Sequence, residues 1–403
     1  MCVLVFGWLA SACTTDVAGD SADGGEIGED TDGGETAADV AAQAAFVAAI
    51  TPDTAGETAA LDGPDDTGDD IEATAGLPDV EPLVASTYTN PLRDAQGNPL
   101  TCPDPSVSDS PSGGYRYFLV CTSDYDASSF PIRKSNDLVH WENVGYVFPE
   151  GKQPAWATPM GQGGRYWAPE IYRIGGKWVV YFATKRKTDG QFVIGVATAD
   201  TLRGEWTSKI LHYSGQFNSV NADHELHGGV IDPSVLEGAD GKLYLYYAKQ
   251  SNQIWVGTLS DDGLTLQSDV HFLFGVTEPW EETCVEGPEP YMANGKYYLL
   301  YSGASTWTGT YAVGVAEADT PYGPFTKKGP PPILHSGRGF IATGHSSHPT
   351  RGPDGNLYLL YHSLRQPSHV SNDRKLMLDR FYDSGEWPIV HDGEPSSGPQ
   401  PVP

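Results

Sequence analysis

One pattern of residues recurs five times along this chain and restricts its fold more than any single motif. Each copy is a short run ending in proline plus a small, polar or acidic residue, then a glycine turn, then an aromatic-rich stretch. The copies are CPDPSV (102–107) before GGYRYFLVCT (113–122), WAPEIY (167–172) before GGKWVVYFAT (175–184), IDPSVL (231–236) before DGKLYLYYAK (240–249), EGPEPY (286–291) before NGKYYLLYSG (294–303), and SSHPTR (346–351) before DGNLYLLYHS (354–363). Their prolines stand at 105, 169, 233, 288 and 349, so the spacings are 64, 64, 55 and 61. A fixed period of this kind marks one structural unit stacked on copies of itself. A third strand follows the hairpin at IGVATAD (194–200), IWVGTLS (254–260) and AVGVAEAD (312–319), and a fourth at WENVGYVF (141–148) and FTKKG (325–329). Four antiparallel strands repeated five times predict an all-β chain, a five-bladed β-propeller over residues 86–394. A sandwich built from coincidental hairpins would not repeat one grammar five times.

Composition agrees and excludes other classes. The chain has 47 Gly, 31 Pro, 21 Tyr, 13 Phe and 10 Trp in 403 residues, a content suited to short strands and tight turns. The net charge of −29 disfavours nucleic acid as a partner, because phosphates attract Lys and Arg. No apolar run reaches the ~18 residues of a spanning helix.

Residues 1–13 (MCVLVFGWLASAC) are apolar, end in small residues and stop at Cys13. The stretch resembles a bacterial lipoprotein signal, which makes Cys13 the expected lipidation site, although no Lys or Arg precedes the apolar run. An ordinary secretory signal with an incidental cysteine is the alternative. Contact with a membrane is expected only through that lipid, on an exported bacterial protein of the outer membrane or cell surface, or else on a secreted one. Residues 14–85 contain no Lys or Arg and many Asp, Glu, Gly, Thr and Ala, as in GDSADGGEIGEDTDGGET. Such a segment repels itself and has little to bury, so a disordered acidic linker is expected. Residues 395–403 are expected to form a disordered tail.

Chemistry is sought where the repeats differ. In a propeller the innermost strands line a central axis, so equivalent positions converge on one mouth. The residues before the five prolines are Asp104, Ala168, Asp232, Gly287 and His348, and Glu286 stands one place earlier on the fourth unit. Asp104, Asp232 and Glu286 together put three acids into one funnel, a costly arrangement unless they act. One protonated and one ionised carboxyl are what glycoside hydrolysis requires. Acids on different blades leave room for a water between base and sugar, so inversion at the anomeric centre is expected. A charged Asp232 near Glu286 would keep the latter protonated by like-charge repulsion.

Asp-Pro-Ser (104–106), Trp-Ala-Pro-Glu (167–170), Ile-Asp-Pro-Ser (231–234), Glu-Gly-Pro (286–288) and Gly-His-Ser (344–346) resemble the motifs of glycoside hydrolase family 43 across residues 88–392. The resemblance implies that Asp104 is the general base, Glu286 the general acid and Asp232 the carboxylate that orients the acid. It implies that His345 lies on the axis and helps hold a structural calcium ion or a water, with no cofactor required for the chemistry. It further implies that Arg374 reaches the substrate near the third carboxylate. Phe130, Trp167 and Ala168 are candidate sugar contacts, with a structural role as the alternative for the aromatics. Cys102 and Cys121 flank the first hairpin and form a candidate disulfide, with Cys284 a rival partner for Cys102. His224 and His227 lack the spacing of a zinc-protease motif and read as loop histidines.

The expected activity is an inverting exo-glycosidase releasing terminal α-L-arabinofuranose from plant cell-wall polysaccharide or oligosaccharide, acting as a monomer. A β-xylosidase or an endo-α-1,5-arabinanase is the alternative within the family. A non-catalytic sugar-binding propeller is the alternative outside it.

Overall fold

The computed structural model describes residues 86–123, 127–215, 224–329, 331–365, 373–383 and 387–403. Cys13 and the acidic linker lie outside the described residues.

The repeats fold as five antiparallel sheets arranged as a five-bladed β-propeller. Blade 1 holds Ser106–Ser112, Tyr115–Val120, Ser129–Ser135 and Glu142–Phe148, and blade 2 Tyr166–Ile174, Lys177–Lys185, Phe192–Ala199 and Thr207–Ile210. Blade 3 holds Val230–Glu237, Leu243–Lys249, Gln253–Thr258 and His271–Gly275, and blade 4 Val285–Ala293, Lys296–Gly303, Ala312–Ala318 and Thr326–Lys327. In blade 5, Phe340–Gly344 and Thr350–Arg351 share the inner edge of Leu357–Arg365, which continues into Lys375–Tyr382 and Ile389–Val390.

Strand alternation explains why five sheets must stack. Along Tyr115–Val120, Tyr117 and Leu119 enter the core shared with blade 5, whereas Phe118 and Val120 enter the core shared with blade 2. Along Leu243–Lys249, Leu245 and Tyr247 pack towards blade 2, and Tyr244, Tyr246 and Ala248 towards blade 4. Along Lys296–Gly303, Tyr298 and Leu300 face blade 5, and Leu299 and Tyr301 face blade 3. Side chains of a strand alternate between faces, so a second strand apolar at every position needs a neighbour on both sides. The five principal cores are accordingly the five junctions between blades.

Both ends of the described chain dock on blade 5. Leu376 exchanges backbone hydrogen bonds with Leu92 and Leu100, each 2.9 Å. Thr87–Tyr88 pairs with Gln400–Pro401. The buried Asp379 carboxylate accepts from Tyr361 Oη (2.6 Å), Asn90 Nδ2 (2.9 Å) and the Ser396 N–H (3.0 Å). Residues 395–403, expected as a disordered tail, are instead tied down: the Ser396 N–H adds a third donor to the buried Asp379 carboxylate, and Gln400–Pro401 pairs with Thr87–Tyr88. Cys102 and Cys121 form a disulfide across the start of blade 1, as expected.

Candidate active site

Each inner strand carries the same one-residue bulge. Trp167 pairs with Ala183 and Glu170 with Tyr181, three residues against two. The shift recurs between Ile231 and Ser234 and between Glu286 and Glu289. In blade 1, Pro103 accepts from the Thr122 N–H and Ser106 pairs with Val120. In blade 5, Gly344 pairs with His362 and the Ser347 N–H donates to Leu360. The first residue of every bulge is left-handed: Asp104 (φ 49°), Ala168 (40°), Asp232 (54°), Gly287 (55°) and His345 (47°). The fifth equivalent is thus His345, not the pre-proline His348 expected from the repeat. Pro349 lies beyond the bulge, and register, not proline, defines the position. Bulges re-aim side chains, and left-handed non-glycine residues store strain of about 1–3 kcal/mol, a combination found at functional sites.

These five positions meet. Asp104 Oδ1 lies 3.3 Å from His345 Nδ1. The His345 ring lies 3.3 Å from where a Cβ on Gly287 would sit, a tight approach at a left-handed position that favours glycine. The Gly287 N–H donates to Asp232 Oδ2 at 2.9 Å. Thr122 Oγ1 donates to Asp104 Oδ2 (2.6 Å) and accepts from the Ala168 N–H (2.7 Å). Glu286, beside Gly287, accepts from Tyr311 Oη at 2.8 Å. The Tyr311 ring stacks on His362, with centroids 5.8 Å apart, and the Asp104 N–H donates to His362 Nδ1 at 3.2 Å. Unbroken contacts therefore connect Asp104, Asp232 and Glu286, and all three are buried.

Their environments differ in sign. Burial pushes the Asp104 carboxyl up, but the Arg374 guanidinium, with His345 and His362 behind it, holds it well below the usual carboxylate range. Arg374 Nη1 lies 2.5 Å from Asp104 Oδ1 and Nη2 3.3 Å from Oδ2. Glu286 is pushed up to about 7, first by burial; the Tyr311 hydrogen bond opposes this and the charge of Asp104 adds to it. Asp232 is pushed well up by burial and by Glu286 and Asp104. Asp232 was expected to stay ionised and to raise Glu286 by repulsion. Instead desolvation is the main cause at Glu286, because a fully enclosed carboxylate loses its water whatever its neighbour. Burial also drives His362 down to about 3, leaving a neutral ring.

Several other expected contacts move. Phe130 is completely buried among Phe148, Tyr166 and Phe182 and cannot stack on a sugar. Its strand packs this side chain into the core between blades 1 and 2, away from the axis. Trp167 is half-buried at the bulge and stacks on Phe192, with centroids 4.7 Å apart. Ala168 contributes its backbone N–H, held by Thr122. Arg374, just before the strand Lys375–Tyr382 of blade 5, is the direct ion-pair partner of Asp104, and its charge also acts on Asp232, the third carboxylate. For His345, no group of three or more His, Cys, Asp or Glu side chains among the described residues is arranged to hold a metal ion. Calcium takes six to eight oxygen ligands. The imidazole faces Asp104, whose oxygens are already engaged by Arg374 and Thr122, so these residues do not fit a calcium held by side chains.

Tyr311, His362, Thr122 and Gly287 complete the site. His362 had a signal in the repeats: the residue paired with the position before the bulge is Thr122, Ala183, Ala248, Ser302 and His362. Four are small and one is a bulky titratable ring. Tyr311 lies just before its strand, in a loop outside the repeated grammar, and carries no such signal.

A carboxylate fixed in its ionised form beside two carboxyls that favour their protons is an acid–base pairing suited to glycosyl transfer to water. Fold and site together define a propeller of the glycosidase class. Residues 96–388 match the model of Glycosyl hydrolases family 43, and the chain belongs to that family. Among relatives it is similar to "Extracellular endo-alpha-(1->5)-L-arabinanase 2" of Bacillus subtilis, 24% identical over 64% of this chain and 65% of that one. It is also similar to "Extracellular exo-alpha-(1->5)-L-arabinofuranosidase" of Streptomyces avermitilis, 27% identical over 77% of this chain and 63% of that one. The chain thus spans slightly less than two thirds of the length of these two relatives. A solved "thermostable family-43 glycoside hydrolase" superposes with a TM-score of 0.66 at 28% identity, covering 79% of this chain and 99% of that one.

Proposed function

We propose that the protein is an inverting exo-glycosidase that removes terminal α-L-arabinofuranosyl residues from arabinan or arabinoxylan. Asp104, kept ionised by Arg374, takes a proton from a water as the water oxygen bonds to the anomeric carbon. The bond from that carbon to the leaving oxygen breaks, and Glu286 gives its proton to that oxygen. One water is consumed, and each product ends with a hydroxyl at the cleaved bond. Asp232, tied to the Gly287 N–H, fixes the acid's neighbourhood and withholds a second full charge from it. Trp167 is the aromatic candidate for the sugar's apolar face. His345 serves as a positioning group on Asp104.

The observation that carries this reading is the split in one enclosed site between Asp104, held down, and Glu286, pushed up to about 7. The exo preference for arabinose follows the name of the Streptomyces relative, and endo-arabinanase action is the second reading, favoured by the name of the Bacillus one. Both are described as extracellular, in agreement with export, and lipidation at Cys13 is part of the same proposal. The test is hydrolysis of 4-nitrophenyl α-L-arabinofuranoside, the β-D-xyloside, and linear and branched arabinan, with the first-formed anomer followed by NMR. Inverted arabinose from chain ends supports the reading, net retention refutes the mechanism, and oligosaccharides released from linear arabinan select the endo activity. Asp104→Asn and Glu286→Gln should each abolish turnover of natural linkages while leaving sugar binding in place. Binding with no turnover in the unaltered chain would mark a lectin.

A further inference from the structure

The Ser251 side chain hydrogen-bonds Glu286, and its carbonyl accepts from the Val285 N–H at 3.0 Å. The chain leaves Ser251 outward through Asn252 and Gln253, which with Phe272, Gly275, Glu282 and Thr283 line an open cavity of about 380 Å³. Phe272 is 52% exposed, one of few large apolar side chains on the described surface so free of cover. Its ring edge-packs against Trp255, with centroids 5.7 Å apart, and its tip lies 3.9 Å from where a Cβ on Gly275 would stand.

The walls are fixed before any ligand arrives. Lys327 Nζ bonds both the Gly275 carbonyl (2.8 Å) and the Glu281 carboxylate (2.6 Å), joining the strand end on one side to the loop on the other. Glu282 sits at φ 53° and ψ −104°, a conformation rarely occupied by a residue with a side chain, and Thr310 Oγ1 donates to its Oε1 at 2.7 Å. Gln253 Oε1 accepts from Trp255 Nε1 (3.1 Å), which orients the amide and leaves its NH₂ for other partners.

The cavity's chemistry is that of a neutral sugar. An aromatic ring offers an apolar platform, two amides and a hydroxyl offer paired donors and acceptors, and one carboxylate accepts from hydroxyls. None of the described lining residues is cationic, which disfavours phosphates and uronic acids.

We propose that this cavity is a distal leaving-group subsite that binds a further neutral pentosyl unit of the chain whose linking oxygen Glu286 protonates. This rests on Glu286 being the acid, since the acid stands on the leaving-group side of the cleaved bond. The subsite makes the enzyme prefer oligomers to short glycosides.

The test compares the full-length chain with Phe272→Ala and with Asn252→Ala. Substrates are 4-nitrophenyl α-L-arabinofuranoside, arabinobiose and longer arabino-oligosaccharides, with xylo-oligosaccharides in parallel. Phe272 is exposed, so its removal should leave the melting temperature nearly unchanged. Expected is a fall of about tenfold in kcat/KM on the longer oligomers, carried by KM, with the aryl glycoside within about twofold. An equal fall on short and long substrates, or no fall on the long ones, overturns the subsite while the proposed function stands. A wild-type chain that hydrolyses none of these glycosides refutes that function, and the subsite with it.

Discussion

Tyr311→Phe should move the alkaline limb of the enzyme's pH profile upward. The phenol hydroxyl donates to Glu286 Oε1 at 2.8 Å, and a hydrogen bond to the charged form of an acid favours that form. Tyr311 thus opposes the burial that pushes Glu286 up to about 7. Hydrogen bonds to charged groups contribute about 1.5–3 kcal/mol, and 1.36 kcal/mol corresponds to one pKa unit, so removal should raise the acid by about one to two units. The lower end is expected, because Ser251 and Arg374 still favour the ionised form. Sign follows from role: the acid works protonated, activity is lost as pH rises through its pKa, and a higher pKa extends activity to higher pH. The limb belongs jointly to Glu286 and Asp232, which titrate together. The acidic limb, set by Asp104, should stay in place. The assay is kcat/KM against pH on a disaccharide, because a nitrophenolate leaves without protonation and hides the acid. An alkaline limb that stays fixed or moves to lower pH refutes the assignment of Glu286 as acid under Tyr311's control.

Three further outcomes rest on the same geometry. Arg374→Gln removes the charge that holds Asp104 down; breaking a buried pair costs about 3–5 kcal/mol of stability, so the variant should melt lower, and its acidic limb should move to higher pH with activity reduced on the acid side. Its residual activity should recover as pH rises, since the base in this variant ionises only at higher pH; a flat profile would remove Asp104 from that role. Lys327→Met leaves the buried Glu281 carboxylate without its ammonium and should lower the melting temperature by roughly 5–10 °C, while adding Glu281→Gln should restore part of the loss. Glu289, which lies 3.4 Å from His348 Nδ1, and Glu170, which accepts from Ser106 Oγ at 2.6 Å, are both pushed well above the usual range by burial. Acids raised on folding stabilise below their unfolded pKa, and that stability is lost as pH rises towards the folded value. Glu289→Gln should therefore melt a few degrees closer to wild type, or above it, at pH 9 than at pH 5, and an equal gap at both pH values would show that Glu289 is ionised throughout.

The repeat of proline, glycine turn and aromatic strand was sufficient for the blades. Strands apolar on every residue have no stable exposed face, so five of them force five shared cores. Sequence also singled out Asp104, Asp232 and Glu286, because breaks in a repeat stand out against its other copies; the same comparison would have exposed His362, which was missed. It misassigned the fifth inner position, since Pro349 imitates the pattern while the bulge that aims His345 is a matter of strand register. It placed Phe130 at the site, although the face a residue takes depends on which neighbouring blade its strand meets. Nor could it decide the charges. Which carboxyl keeps its proton depends on enclosure and on Arg374 arriving 270 residues after Asp104 to pair directly with that acid. Local chemistry chose the acids; only the closure of the ring brought them out of water and against their partners.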